Sequence, residues 1–219
     1  MEAHVPPRAD ERRFERSAEP MAGEQRVQFV PSPIADPGPL GLAGFAMTTF
    51  VLSMFNADLV SSGGEPIVFG LALAYGGLAQ LLAGMWEFRT GNTFGAVAFT
   101  SFGAFWISLW AFEQFYADSV PAKDAGHAVG LYLIAWGIFT TYMFVASLRT
   151  TAAVALVFLL LAPTFFLLGI GNAGPHANVT KLGGWFGLVT AGAAWYASFA
   201  AVTNSTFGRT VLPVIPLRR

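Results

Sequence analysis

The chain has 219 residues, of which 54% are hydrophobic and 15% aromatic, while only 11% are charged and the formal net charge is -1. Soluble domains carry about 25% charged residues, so this composition points to a protein embedded in lipid and argues against nucleic acid as a partner. Cysteine is absent, which excludes a disulfide framework, a thiolate metal site and a cysteine nucleophile.

Residues 1–33 read as a separate arm. Its stretch ADERRFERSAEP mixes charges of both signs, prolines are frequent and apolar periodicity is nearly absent, a composition that predicts disorder. No apolar core segment follows its arginines, so it is not a signal peptide. From Asp36 onward the charges fall in blocks. None occurs between Asp36 and Asp58, Glu65 and Glu87, Arg89 and Glu113, Asp124 and Arg149, Arg149 and Lys181, or Lys181 and Arg209. Each gap exceeds the roughly 20 residues that cross a ~30 Å hydrocarbon core. The fold class predicted is therefore an all-α membrane protein with six transmembrane helices, near 40–58, 66–87, 93–115, 127–148, 151–171 and 182–203. They form one domain over 34–208, followed by a tail over 209–219.

The first span carries Phe45, Thr48 and Thr49 and ends near Asn56. The second opens with Pro66, suited to a first helical turn because its missing N–H costs nothing there. It holds small residues at Gly70, Ala74, Ala79 and Ala83, places Gln80 at mid-span and ends at Glu87 and Arg89. Asn92 is the expected N-cap of the third span, which carries Thr100, Ser101 and Phe102 and ends with Glu113. Thr140 and Thr141 lie in the fourth, Leu161 and Thr164 in the fifth with Asn172 at its end, and Thr190 in the sixth. The sixth also repeats small residues at Gly183, Gly187 and Ala191, and at Ala193, Ala197 and Ala201. Such ridges are helix-packing faces in lipid, within a protomer or between protomers. A membrane Ser or Thr by default bonds the carbonyl one turn back. Gln80 has more hydrogen-bonding groups than one carbonyl satisfies, so it should face a neighbouring helix or a water-filled path.

Basic residues set the orientation, because cytoplasmic loops retain Lys and Arg. With the N-terminus inside, the cytoplasmic side collects Arg8, Arg12, Arg13, Arg16, Arg26, Arg89, Arg149, Arg209, Arg218 and Arg219, and the other side keeps Lys123 and Lys181. Both termini are expected in the cytoplasm. Three odd-numbered spans also share a pattern: Phe45 precedes Asn56, Phe102 precedes Glu113 and Leu161 precedes Asn172, each by eleven residues. Running outward together, these spans would hold three bulky apolar residues at one depth and three polar residues about 16 Å further on, a threefold relation among hairpins of the kind found in transporters.

PLGLAGFAMTTF in the first span, YGGLAQLLAGMWEFRTGNTFGAVAFTSFGAFW across the second and third, GIGN, GGWFGL and FGRTVLP together resemble the acetate uptake transporter family. That family includes bacterial succinate–acetate permeases and yeast acetate permeases. The similarity runs in order from about Asp36 to Pro213. The resemblance implies a six-helix protomer with its own pathway, a hexameric homo-oligomer in the cell membrane, and acetate or succinate-type carboxylates as substrates. It further implies a central hydrophobic constriction at Phe45, Phe102 and Leu161. Two departures bear on the substrate. The usual NPAPLGL reads Asp36-Pro37-Gly38-Pro39-Leu40-Gly41-Leu42, and FTSYG reads FTSFG, so Phe102 lacks a hydroxyl.

A charge at the bilayer centre is expensive, so a carboxylate path needs donors on both sides of a dry gate. Thr48, Thr49, Thr100, Ser101 and Thr164 flank the gate, Gln80 adds an amide, and Asn56 and Asn172 stand at the outer mouth. These are the expected substrate-binding residues, with Lys181 and His176 adding positive potential outside and Arg89 and Arg149 inside. Glu87 has two readings, a membrane-end role as an ion pair with Arg89 or an anchor that fixes the turn into Asn92, and a proton site coupled to a transported acid, and its position at the end of the span favours the first. The readings of transport as channel-like or proton-coupled stay open. No metal or cofactor is expected, and an enzyme is not, because no nucleophile with its base and no paired intramembrane carboxylates exist. The alternative is a small neutral-solute or ammonia channel. His4, His127 and His176 are the only histidines, and none lies at mid-span for a paired-histidine lumen.

Overall fold

The computed structural model describes residues 34–217, and the expectation of a disordered arm over 1–33 lies outside them. Among the described residues the fold is helical, and six helices are long and apolar enough to cross a membrane. They are α1 (Gly38–Asn56), α2 (Ile67–Thr90), α3 (Thr93–Ser119), α4 (Ala122–Ser147), α5 (Ala152–Ala173) and α6 (Ala177–Phe207). All six expected spans are present. The largest extensions beyond the expected spans are α3 to Ser119, α4 from Ala122 and α6 from Ala177. A charge-free gap measures only the stretch that lies in hydrocarbon, whereas the backbone hydrogen bonds of a helix continue into water past the first charge.

Local chemistry sets the ends. The Asp36 carboxylate accepts from the Gly38 N–H at 2.9 Å, and Pro39 sits in the first turn of α1. Asn92 caps α3 as expected, accepting from the Gly95 N–H at 3.1 Å. Thr151 caps α5 by accepting from Val154 N–H at 3.3 Å. Gly91 ends α2 with φ 78°, the left-handed conformation that glycine adopts without a Cβ penalty. Pro66 is the N-cap of α2, one position before the first helical turn.

Consecutive helices neighbour one another and α6 closes the ring against α1, with the α3–α4 seam the most open. Aromatic side chains bridge that seam. Phe105 stacks on Tyr132 with centroids 5.6 Å apart, and the Tyr132 hydroxyl donates to the Phe105 carbonyl at 2.9 Å. The Gly183, Gly187 and Ala191 ridge lies inside the protomer. A Cβ at Gly183 would press on Leu168 of α5, one at Gly187 on Ser53 of α1, and Ala191 is fully buried. In α2 a π-helical stretch over Ala74–Ala79 inserts one extra residue per turn. It shifts the small-residue face, so that Gly70 is exposed with open space around it while Gly76, Gly77, Ala83 and Gly84 are buried.

With an even number of spans, the start of α1 and the end of α6 lie on one face, here called the terminal face. The segment after α6 is docked there. Asn204 accepts from Val211 N–H and Leu212 N–H at 2.7 and 2.9 Å, and Tyr196 donates to the Pro213 carbonyl at 2.7 Å. Further on, Ala152 N–H donates to Ile215 O at 2.8 Å, so the FGRTVLP segment leads the chain across the start of α5.

Candidate substrate pathway

Opposite the terminal face, where α1, α3 and α5 end, a cavity of about 400 Å³ enters the bundle. Its floor includes Phe45, Leu161, Phe105, Trp106 and Phe165, its wall Thr49, Ser53 and Thr164, and its mouth Asn56, Glu65, Glu113 and Asn172. The pattern read from the odd-numbered spans therefore converges. Asn56, Glu113 and Asn172 meet at one opening, with Phe45 and Leu161 at its base.

Phe45, Phe102 and Leu161 are 4%, 2% and 3% exposed and belong to one buried cluster. Phe102 lies beside the cavity rather than in its lining. Its ring stands 5.8 Å from that of Phe45 and also packs against Trp136, Phe139, Phe158 and Phe165. The side chains of Phe45, Phe102 and Leu161 carry no polar atom, so none of the three can replace the hydration of an ion.

The hydroxyls separate into two groups. Thr48 donates to the Gly44 carbonyl at 2.9 Å, Thr140 to Trp136 at 2.7 Å and Thr190 to Phe186 at 2.8 Å, each one turn back. Thr164 does the same to Leu160 at 2.8 Å, beside Pro163, whose ring removes a helical N–H. Thr49 and Thr100 do not. Their Oγ1 atoms are buried without a hydrogen-bond partner among the described residues, as are Gln80 Oε1 and Trp106 Nε1. An unpaired buried polar group costs about 1–3 kcal/mol, so these four mark places where water or a ligand is needed. Thr49 and Trp106 line the cavity. Gln80 and Thr100 belong to the buried contacts of α2 with its neighbours: a Cβ on Gly44 would come 3.7 Å from Gln80 Cβ, and one on Gly84 would strike Thr100. Neither lines the cavity, and neither do Thr48 and Ser101.

Trp106 is the residue that sequence reasoning missed. It follows Phe102 by four positions, one helical turn toward the mouth, and that spacing was the available signal. Among the charges, Lys181 is not free to set a potential in the path, because it pairs with Asp58 at 2.6 Å outside the cavity. His176 caps α6 and does not line the cavity either.

Of the two membrane-end roles, Glu87 takes that of an anchor for the turn into Asn92, whose backbone N–H donates to the Glu87 carbonyl at 3.1 Å, and not that of an ion pair. It is 2% exposed, and no ion pair joins it to Arg89 among the described residues. Residues two apart project from different sides of a helix, which turns Glu87 into the bundle and Arg89 outward. Glu87 instead accepts from the Thr90 hydroxyl at 3.0 Å and bonds the Asn92 side chain. A Cβ on Gly95 would lie 2.6 Å from its Oε1, and Asp36 approaches it across Gly38.

Residues 21–219 match the GPR1/FUN34/yaaH family. The chain is 41% identical over 183 residues to the succinate-acetate/proton symporter SatP of Escherichia coli (strain K12), covering 83% of this chain and 95% of that protein. It is 45% identical over 195 residues to acetate permease A of Emericella nidulans, covering 82% and 65%. To ammonia transport outward protein 2 of Saccharomyces cerevisiae it is 42% identical over 194 residues, covering 85% and 69%. The solved structure of the bacterial acetate channel SatP aligns with a TM-score of 0.77 at 39% identity, over 83% of this chain and 99% of that chain. A six-helix multi-pass membrane protein matched along nearly its whole length, the chain belongs to the GPR1/FUN34/yaaH family.

Proposed function

We propose that the protein transports acetate and related short-chain mono- and dicarboxylates, such as succinate, across the cell membrane through a pathway inside each protomer. The observation that carries this reading is the cavity lined by Asn56, Glu113 and Asn172 at the helix ends and by Phe45 and Leu161 further in, with Thr49 and Trp106 in its lining unpartnered among the described residues. Donors above a dry constriction suit a small solute with one polar and one apolar end. In this reading Phe45, Phe102 and Leu161 are the gate. Thr49, Trp106, Thr164, Asn56 and Asn172 serve the substrate on the cavity side, and Gln80, Thr100, Ser101 and Thr48 on the terminal side. Arg89, Arg149 and Arg209 at the terminal ends of their helices support a cytoplasmic terminal face by the positive-inside rule, and in this reading the cavity is the outer vestibule. The family resemblance supports assembly as a homo-hexamer and a transporter rather than an enzyme.

Glu87 is buried at the terminal end of α2 away from mid-depth, so we assign permeation to the gate and treat Glu87 as the coupling residue only if transport is concentrative. Reconstituted protein tests the function. Proteoliposomes should take up labelled acetate faster than empty vesicles, and ammonia flux in the same vesicles should not exceed its leak. Ammonia flux without acetate flux would replace this reading by a neutral-solute channel.

A further inference from the structure

The mouth of the cavity has the wrong charge for an anion. Glu65, just before α2, and Glu113, in the last turns of α3, both line it, and their charges act on each other. Among the described residues no lysine, arginine or histidine lines the cavity. At the same face Asp58 and Lys181 neutralise one another, while Tyr116, Asp118, Lys123, Asp124, His127 and His176 stand outside the lining. Asn172 is uncharged and commits one of its two amide N–H groups to the Leu168 carbonyl at 2.8 Å, so it does not offset the two carboxylates. Deeper in the same cavity the sign reverses. Thr49 and Trp106 are 6% and 2% exposed, and the hydroxyl and the indole N–H have no partner among the described residues. The indole N–H can only donate. An acceptor is wanted inside, and two carboxylates guard the way to it.

Resting on the transport reading above, we propose that Glu65 and Glu113 form a proton-dependent selectivity mouth that admits a carboxylate when one of the two is protonated. With both ionised, the pair repels the anion. With one proton taken from the solvent on the cavity side, the resulting carboxylic acid O–H donates to the incoming carboxylate, which then passes to Thr49 and Trp106; no covalent bond changes. Burial pushes the Glu65 carboxyl above its ordinary value, so the first proton is taken up at milder acidity than an exposed carboxylate would need. The mouth thus makes entry depend on external pH independently of how much of the substrate is itself protonated.

The test uses the full chain in proteoliposomes with equal pH on both sides, so that insertion direction does not matter. The probe is a labelled fluorinated acetate that stays an anion throughout, with labelled acetate run in parallel. Wild type should carry the fluorinated acetate about fivefold faster near pH ~5 than near pH ~8, a ratio expected for removing one nearby like charge. Glu65→Gln and Glu113→Gln should each shrink that ratio, and the double variant should carry the anion equally well at both pH values. A wild-type ratio near one, or a double variant that keeps the wild-type ratio, overturns the proposal. If the double variant does not reconstitute, Glu113→Gln at its exposed position decides: an unchanged ratio there overturns it as well. Absence of acetate flux in wild type removes the transport reading itself, and the mouth with it.

Discussion

The ring of Phe102 meets that of Phe45 with centroids 5.8 Å apart and planes tilted by 56°, and only Phe45 of the two lines the cavity. In the proposed pathway Phe45 is therefore the surface a solute would meet, while Phe102 backs it and is itself held by four further rings. The side that can yield is Leu161, the aliphatic member of the floor. Leu161→Ala should raise flux of lactate or succinate relative to acetate by about fivefold, because one or two missing methylenes change discrimination by about 1–3 kcal/mol. Competition uptake in proteoliposomes measures it. Unchanged selectivity in a well-folded variant would show that the path runs elsewhere.

Gly187 should tolerate almost nothing. A Cβ there would strike the Ser53 hydroxyl and approach Thr164 Cγ2 at 3.5 Å, so α6 and α1 must separate to admit a side chain. Overpacking of this kind costs about 1–3 kcal/mol, and Gly187→Leu should lower both folded yield and melting temperature. Gly192, which has open space around it, is the control: Gly192→Ala should leave both unchanged. A normal size-exclusion profile and melting curve for Gly187→Leu would mean the helices part more easily than their packing implies.

Asn92 does two things at once, capping α3 through its Oδ1 and bonding Glu87 through its side chain. Asp is as good an N-cap as Asn, so the cap alone predicts that Asn92→Asp is neutral. Placed against a buried carboxylate, it should instead destabilise by about 1 kcal/mol or more. Arg89→Ala, which removes no partner of Glu87, should shift stability by less than about 0.5 kcal/mol. Thermal unfolding in detergent separates the two accounts; equal effects for both variants would restore an Arg89–Glu87 pairing.

For coupling, the expected outcome is that Glu87→Gln retains substantial acetate permeation and that flux follows the acetate and pH gradients. Accumulation in liposomes with a pH gradient and no acetate gradient decides the point, with leak of acetic acid subtracted. Should wild type concentrate acetate while Glu87→Gln only equilibrates it, passive permeation is wrong and Glu87 is the coupling residue.

Lys181→Met should leave acetate flux unchanged, since its ammonium is engaged by Asp58 and lies outside the cavity. Both side chains are substantially exposed, and surface pairs of this kind contribute about 0–1 kcal/mol. A marked drop in flux would show that the ammonium attracts substrate to the mouth.

The six spans were legible in the sequence because hydrocarbon thickness imposes a minimum length free of charge, and that length is countable along the chain. The shared lining of Phe45 and Leu161 and of the polar residues beyond them was legible for a related reason: parallel helices of regular rise carry equal spacing into equal depth, and Asn56, Glu113 and Asn172 do share one opening. Caps such as Asn92 depend on neighbours three residues away and were equally readable. What lay beyond the sequence was decided by which way each side chain points once the helices pack. The five threonines and serines expected to flank the constriction look alike in one dimension, yet Thr48 and Thr164 spend their hydroxyls on their own helices while Thr49 and Thr100 keep theirs unpaired. Glu87 and Arg89 are adjacent in sequence terms, but a helix turns about 100° per residue, so one enters the bundle and the other leaves it. The π-helical turn before Gln80 moves the small-residue face by one residue, and no local composition announces it. Distance along the chain determined depth in the membrane, while rotation about each helix axis, settled only by packing, determined which residues meet the path.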